Sequence, residues 1–137
     1  MKKMINTAFT YALLAMAGGV FYREFTKFNH FTGQTNLGFV HTHLFVLGMI
    51  GFLIVALFVK SLPHVLADKK FKIFYILYNT GLCLTAVTLA WRGIIQVLAI
   101  PVSNGLSTSI AGIAGIGHIL LGIGIVLFFL IIRKKAD

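Results

Sequence analysis

Four stretches of this chain are long and apolar enough to dictate its solvent: about residues Thr7–Phe25, Leu37–Val59, Phe71–Ile100 and Leu106–Ile132. A helix needs about 20 such residues to cross roughly 30 Å of hydrocarbon. Inside that slab every backbone polar group must be satisfied within the protein, which leaves helices or a closed barrel. Runs of this length, without alternation, are helical. They occupy most of the 137 residues, so no soluble domain fits beside them. The expected fold is all-α, one integral membrane four-helix bundle covering residues 1–137. With 58% hydrophobic and 11% charged residues, the composition excludes the soluble classes.

The net charge of +9 is large for so few ionisable groups, and its placement identifies the partner. Lys2 and Lys3 precede the first run, Lys60, Lys69, Lys70 and Lys72 flank the second connection, and Arg133, Lys134 and Lys135 follow the fourth. The third connection, "PVSNGLSTS", has no charge. This is the positive-inside pattern of a multi-pass cell-membrane protein with both termini cytoplasmic, and the bilayer, not nucleic acid, is the partner it implies. The opening "MKKMINTAFTYALLAMAGG" resembles a signal peptide but is read as a retained span. Its apolar run continues to Phe21, and removal would leave an odd number of spans. A single cysteine, Cys83, allows no intrachain disulfide and reads as inert core.

Polar side chains within spans are costly, so each one marks a site or an interhelical contact. Tyr78, Gly81, Thr85, Thr88, Arg92 and Gln96 recur at steps of three or four along the third span and share one face. That stripe faces the bundle or a cleft, where hydroxyls also serve as helix–helix contacts. Arg92 asks for an anion or a route to water. Glu24 is one of only three acids, and a Glu24–Arg92 ion pair would join spans one and three. Arg23 and Lys27 would then form a positive cluster near the outer surface, or snorkel to the headgroups.

The histidines carry the sharper question. His118 lies in "SIAGIAGIGHILLGIGIVLFF" on a stripe of Ala111, Ala114, Gly115 and Gly122. Small residues there admit another helix, or a flat bulky ligand. His118 is about 15 Å and His43 about 9 Å below the outer boundary at 1.5 Å per residue. His41 and His43, two apart, project about 200° from each other on a regular helix. Only one of them faces the bundle, and depth favours His43. Imidazole nitrogen is the general ligand for transition metals and for haem iron. Two imidazoles from facing helices, small residues around them and arginines toward the water describe a haem b site, with Arg23 and Arg92 on the propionates. His30 and His64 fall in loops and read as solvated.

The segments "GGVFYREFTKF" and "TNLGFVHTHLFVLGMIGFLI" resemble a family of small four-span bacterial membrane proteins of unknown function. That resemblance covers essentially the whole chain and implies the fold without an activity. More weakly, "HLFVLG" is similar to haem-ligating helices of haem–copper oxidase catalytic subunits, which group twelve helices in three sets of four. The chain has no adjacent histidines for a copper centre and no tyrosine at cross-link spacing from a histidine.

Three functions are therefore open. The leading one is a haem b protein for electron transfer or redox and gas sensing. Its axial ligands would be His43 and His118; any enzyme activity would be a haem-dependent oxidoreductase with a membrane redox partner. The second is copper or zinc binding or transport through His41, His43 and His118. The third is an oligomeric channel or carrier lined by span three. The Gly/Ala faces of span four also suit a homo-oligomer, a dimer or trimer. Hydrolytic chemistry is not expected, since the spans hold no paired carboxylates and no oriented nucleophile–base pair.

Overall fold

The computed structural model describes residues 1–135, and Asp137, expected on the cytoplasmic side, lies outside them. Five α-helices follow in order: α1 (Lys2–Phe28), α2 (Leu37–His43), α3 (Gly51–Ser61), α4 (Lys69–Val97) and α5 (Asn104–Lys135). Between α2 and α3 the chain winds as a π-helix, Leu44–Ile50, so Leu37–Ser61 is one continuous span. A 3₁₀ turn, Pro63–Ala67, opens on its proline and leads into α4. There Asp68 caps the helix by accepting the Lys70 amide at 2.9 Å. Four units, namely α1, the α2–α3 span, α4 and α5, are long and apolar enough to cross a membrane.

The helices outrun the apolar stretches at the lysine-rich ends, where the backbone continues to bond itself past the last apolar residue. Span three does the opposite and stops at Val97, short of Ile100. Pro101 explains the early stop, because the residue before a proline is held out of the helical region.

α1 packs along the second span, α4 packs beside that span, and α5 leans almost wholly on α4. Phe52 is fully buried at the centre, stacked on Tyr11 at 5.8 Å between ring centres and edge-on to Tyr75 and Tyr78. The α4–α5 contact is built on glycine. A Cβ on Gly81 would stand 2.7 Å from the Leu121 amide nitrogen, and one on Gly117 would stand 2.7 Å from Thr85 Oγ1. Only hydrogen at these two positions lets the backbones approach so closely. Spans two and four, by contrast, touch little, and a cleft runs between them.

Candidate functional site

Beside this cleft two histidines from different spans come together, His43 half-buried and His118 exposed. His43, the last residue of α2, and His118, mid-α5, present ring centres 6.3 Å apart with their planes at 88°. Each Nδ1 lies 2.8 Å from a carbonyl of its own helix, that of Phe39 for His43 and of Ala114 for His118. A carbonyl can only accept, so each Nδ1 carries the ring proton and each Nε2 keeps its lone pair. A backbone bond of this kind sets tautomer and ring orientation in metal-ligating histidines. An ion about 2.0–2.1 Å from one nitrogen of each ring holds the ring centres about 6.4 Å apart when the three atoms are in line, and about 5.2 Å apart at the tetrahedral angle. The observed separation is close to the in-line value.

Space adjoins the pair. Cβ atoms added at Gly112, Gly115 or Gly122 of α5 would meet nothing within 4 Å. Below the rings the cleft continues as an apolar hollow of about 170 Å³ lined by Gly51, Ile54, Tyr78, Ile125 and Phe129, among others. The small-residue stripe anticipated around His118 is thus an open face, and the close helix contact uses Gly117 and Gly124 on another side of α5.

His41 faces the other way. It stacks on Tyr22 of α1 at 6.2 Å and lies against Gly18 and Gly19, with its Nδ1 buried and without a hydrogen-bond partner. The three-imidazole set of the copper or zinc reading is therefore not assembled. The i,i+2 spacing divides the histidines between α1 and α5, and no cluster of three His, Cys, Asp or Glu side chains occurs among the described residues.

The arginines divide as well. Arg92 donates through Nη2 to the Ser107 carbonyl at 3.2 Å and to Ser107 Oγ at 3.4 Å, at a hollow of about 330 Å³ between α4 and α5. The expected Glu24–Arg92 pair is corrected by this contact: Glu24 lies 3.9 Å from Arg23, its own neighbour on α1, and both are exposed. Arg23 is not brought to His43 and His118, because α1 packs on the His41 face of span two. Ser107 stands seven residues before Ala114, the residue under the His118 ring, or about 10 Å up the same face of α5.

The rest of the span-three stripe is structural. Gln96 Oε1 accepts the Asn36 amide at 2.8 Å, and Thr35 Oγ1 donates to the Gly93 carbonyl at 3.0 Å, which fastens the entry to α2. Thr88 bonds carbonyls of its own helix, and Thr85 is wholly buried against Gly117. Tyr78 donates to the Leu47 carbonyl at 2.9 Å. The Gly51 amide reaches back to Val46, passing over Leu47, so the hydroxyl serves a carbonyl that the π-helical winding skips. Thr85 Oγ1 alone among these named groups is buried without a hydrogen-bond partner.

A family model described as a protein of unknown function (DUF2871) matches residues 1–135. The chain belongs to the DUF2871 family. No curated protein matches it, and no solved structure does. The match over the whole chain agrees with the expectation of a small four-span membrane family without an assigned activity.

The DUF2871 protein also carries a second polar seam that sequence reasoning missed. Tyr11 of α1 donates to Asn79 Oδ1 of α4 at 2.7 Å and lies 3.7 Å from Cys83 Sγ. One turn lower, Thr7 Oγ1 meets the Tyr75 hydroxyl at 2.8 Å, with Lys3 Nζ over the Tyr75 ring at 4.0 Å. The signal was present as two matching i,i+4 ladders: Lys3, Thr7 and Tyr11 on α1, and Tyr75, Asn79 and Cys83 on α4. Cys83 is exposed beside this seam rather than embedded in the core, which corrects the earlier assignment.

Proposed function

We propose that this DUF2871 protein is an integral membrane haem b protein whose axial ligands are His43 and His118 and whose role is electron transfer. The observation that carries the reading is the ring pair. Two imidazoles on helices that otherwise touch little stand 6.3 Å apart, each with its proton bonded to backbone and its Nε2 lone pair free to ligate.

The surroundings fit a macrocycle. Gly112 and Gly115 leave room on α5, and the residues below the rings are almost all apolar. Arg92 stands about 10 Å higher on the water-facing side, a rise comparable with the reach from a haem's centre to its propionates. Its guanidinium would supply charge-assisted bonds to carboxylates there, the role earlier shared with Arg23. When bound, a haem with both axial positions filled by histidine supplies one-electron redox chemistry and leaves no open position for a substrate. The chain's own part is to fix tautomer and ring direction through Phe39 and Ala114, and to exclude water with the apolar cleft. The positive-inside pattern supports a cytoplasmic lysine-rich end and, with it, a pair in the outer half of the membrane.

The test is an absorption spectrum of the full chain, purified in detergent after growth with ample haem precursor. The expected result is a sharp Soret band with resolved α and β bands on reduction, lost in His43→Ala and in His118→Ala and kept in His41→Ala. A colourless, iron-free preparation, or spectra unaltered by the first two substitutions, overturns the proposal.

A further inference from the structure

On the outer side of the α4–α5 pair lies a groove that none of the histidine chemistry uses. Its volume is about 710 Å³, and Lys70 is its one polar lining residue. Ile73 and Leu77 of α4 form one wall, Ile123 and Leu130 of α5 the other, and Gly122 opens the middle, where a Cβ would meet nothing within 4 Å. From Ile119 to Leu130 the α5 wall rises about 16 Å at 1.5 Å per residue. That is one leaflet's share, half of a hydrocarbon core roughly 30 Å thick. Lys134 sits one turn beyond Leu130 on the same helix face, so both walls end in a cation.

We infer that this groove is a binding site for an anionic phospholipid: one acyl chain lies in the apolar channel, and the phosphate rests between Lys70 and Lys134. Two features select this occupant. The length fits a chain confined to a single leaflet, and the charge is at one end only. Among the described residues, neither lysine forms a salt bridge. Asp68, two residues before Lys70, turns its carboxylate to the Lys70 amide as a helix cap. A phosphate therefore meets positive charge at the mouth of the groove, in the plane where headgroups lie.

Native mass spectrometry of the full chain in detergent tests the site, with phosphatidylglycerol and phosphatidylcholine of identical acyl chains added in equal amounts. The wild type is expected to retain the anionic lipid over the zwitterionic one by about fivefold or more, at about a fivefold preference per lysine engaged. Lys70→Gln combined with Lys134→Gln removes that preference while leaving the weaker, chain-dependent retention. Both positions are exposed, so these variants do not disturb packing. Gly122→Phe fills the channel and lowers retention of both lipids. Equal retention of the two lipids by the wild type, or unaltered retention in Gly122→Phe, refutes the proposal. A dimer that Gly122→Phe dissociates refutes it too, since a second copy then covers the groove.

Discussion

Replacing Gly81 with alanine isolates the contact that sets α5 in place. A Cβ at Gly81 stands 2.7 Å from the Leu121 amide nitrogen and 2.8 Å from the Gly117 carbonyl oxygen. Both atoms are backbone, so no rotamer change relieves the clash. Ordinary contact begins at 3.4 Å, so α5 must retreat by about 0.7 Å. A gap of that size forfeits about a quarter to a half of the attraction between facing atoms. The expected cost is about 1–3 kcal/mol, the range for overpacking a fitted interface. Gly115→Ala, on the same interface's outer helix, is the control. Its Cβ meets nothing within 4 Å, so alanine there gains about 0.5–1 kcal/mol from the helix interior alone. Equilibrium unfolding in mixed micelles, titrated with SDS and followed by far-UV circular dichroism, measures both. Gly81→Ala should lower the midpoint, and Gly115→Ala should leave it level or raise it. If Gly81→Ala matches the wild type within about 0.5 kcal/mol, the range of an ordinary surface substitution, then close backbone approach is not what holds α5.

Three further outcomes follow from the contacts. Tyr78→Phe removes the hydroxyl bonded to the Leu47 carbonyl and should destabilise the protein by about 0.5–1.5 kcal/mol in the same titration, the net worth of one such bond. Gln96→Ala frees the Asn36 amide at the start of α2; amide exchange at Leu37–Val40 should quicken, with a stability loss of about 0.5–2 kcal/mol. In the proposed haem complex, Arg92→Gln should speed haem transfer to apomyoglobin about tenfold or more, the kinetic equivalent of a charge-assisted bond of about 1.5–3 kcal/mol, while Arg23→Gln leaves the rate unchanged.

Much of the fold was legible because hydrocarbon is an unforgiving solvent. Runs of apolar residues fixed the number of spans, and only the helix ends moved, at Val97 by the pull of Pro101. The division between His41 and His43 was also readable, since two residues apart on a helix cannot share a face. What escaped were contacts whose meaning depends on a partner helix. Gln96 looks like a stripe member until Asn36 is seen against it, and Arg92 and Glu24 look complementary until Ser107 intervenes. Asn79 and Tyr11 are uncharged and lie on different spans, so their ladders become a seam only when α1 and α4 are set side by side. The π-helical winding of Leu44–Ile50 has no signature in "LFVLGMI" that separates it from an ordinary apolar helix.

That winding has a consequence for how the second span can vary. A π-helical stretch absorbs one residue more than an α-helix over the same turns, and here it sits between His43 above and Phe52 below. A single-residue deletion within it can be taken up by rewinding to the tighter coil, leaving both ends on the compass bearings they already hold. The length of this segment is therefore free to drift by one between related chains, while the same deletion a turn earlier or later would swing the imidazole out of register with its counterpart.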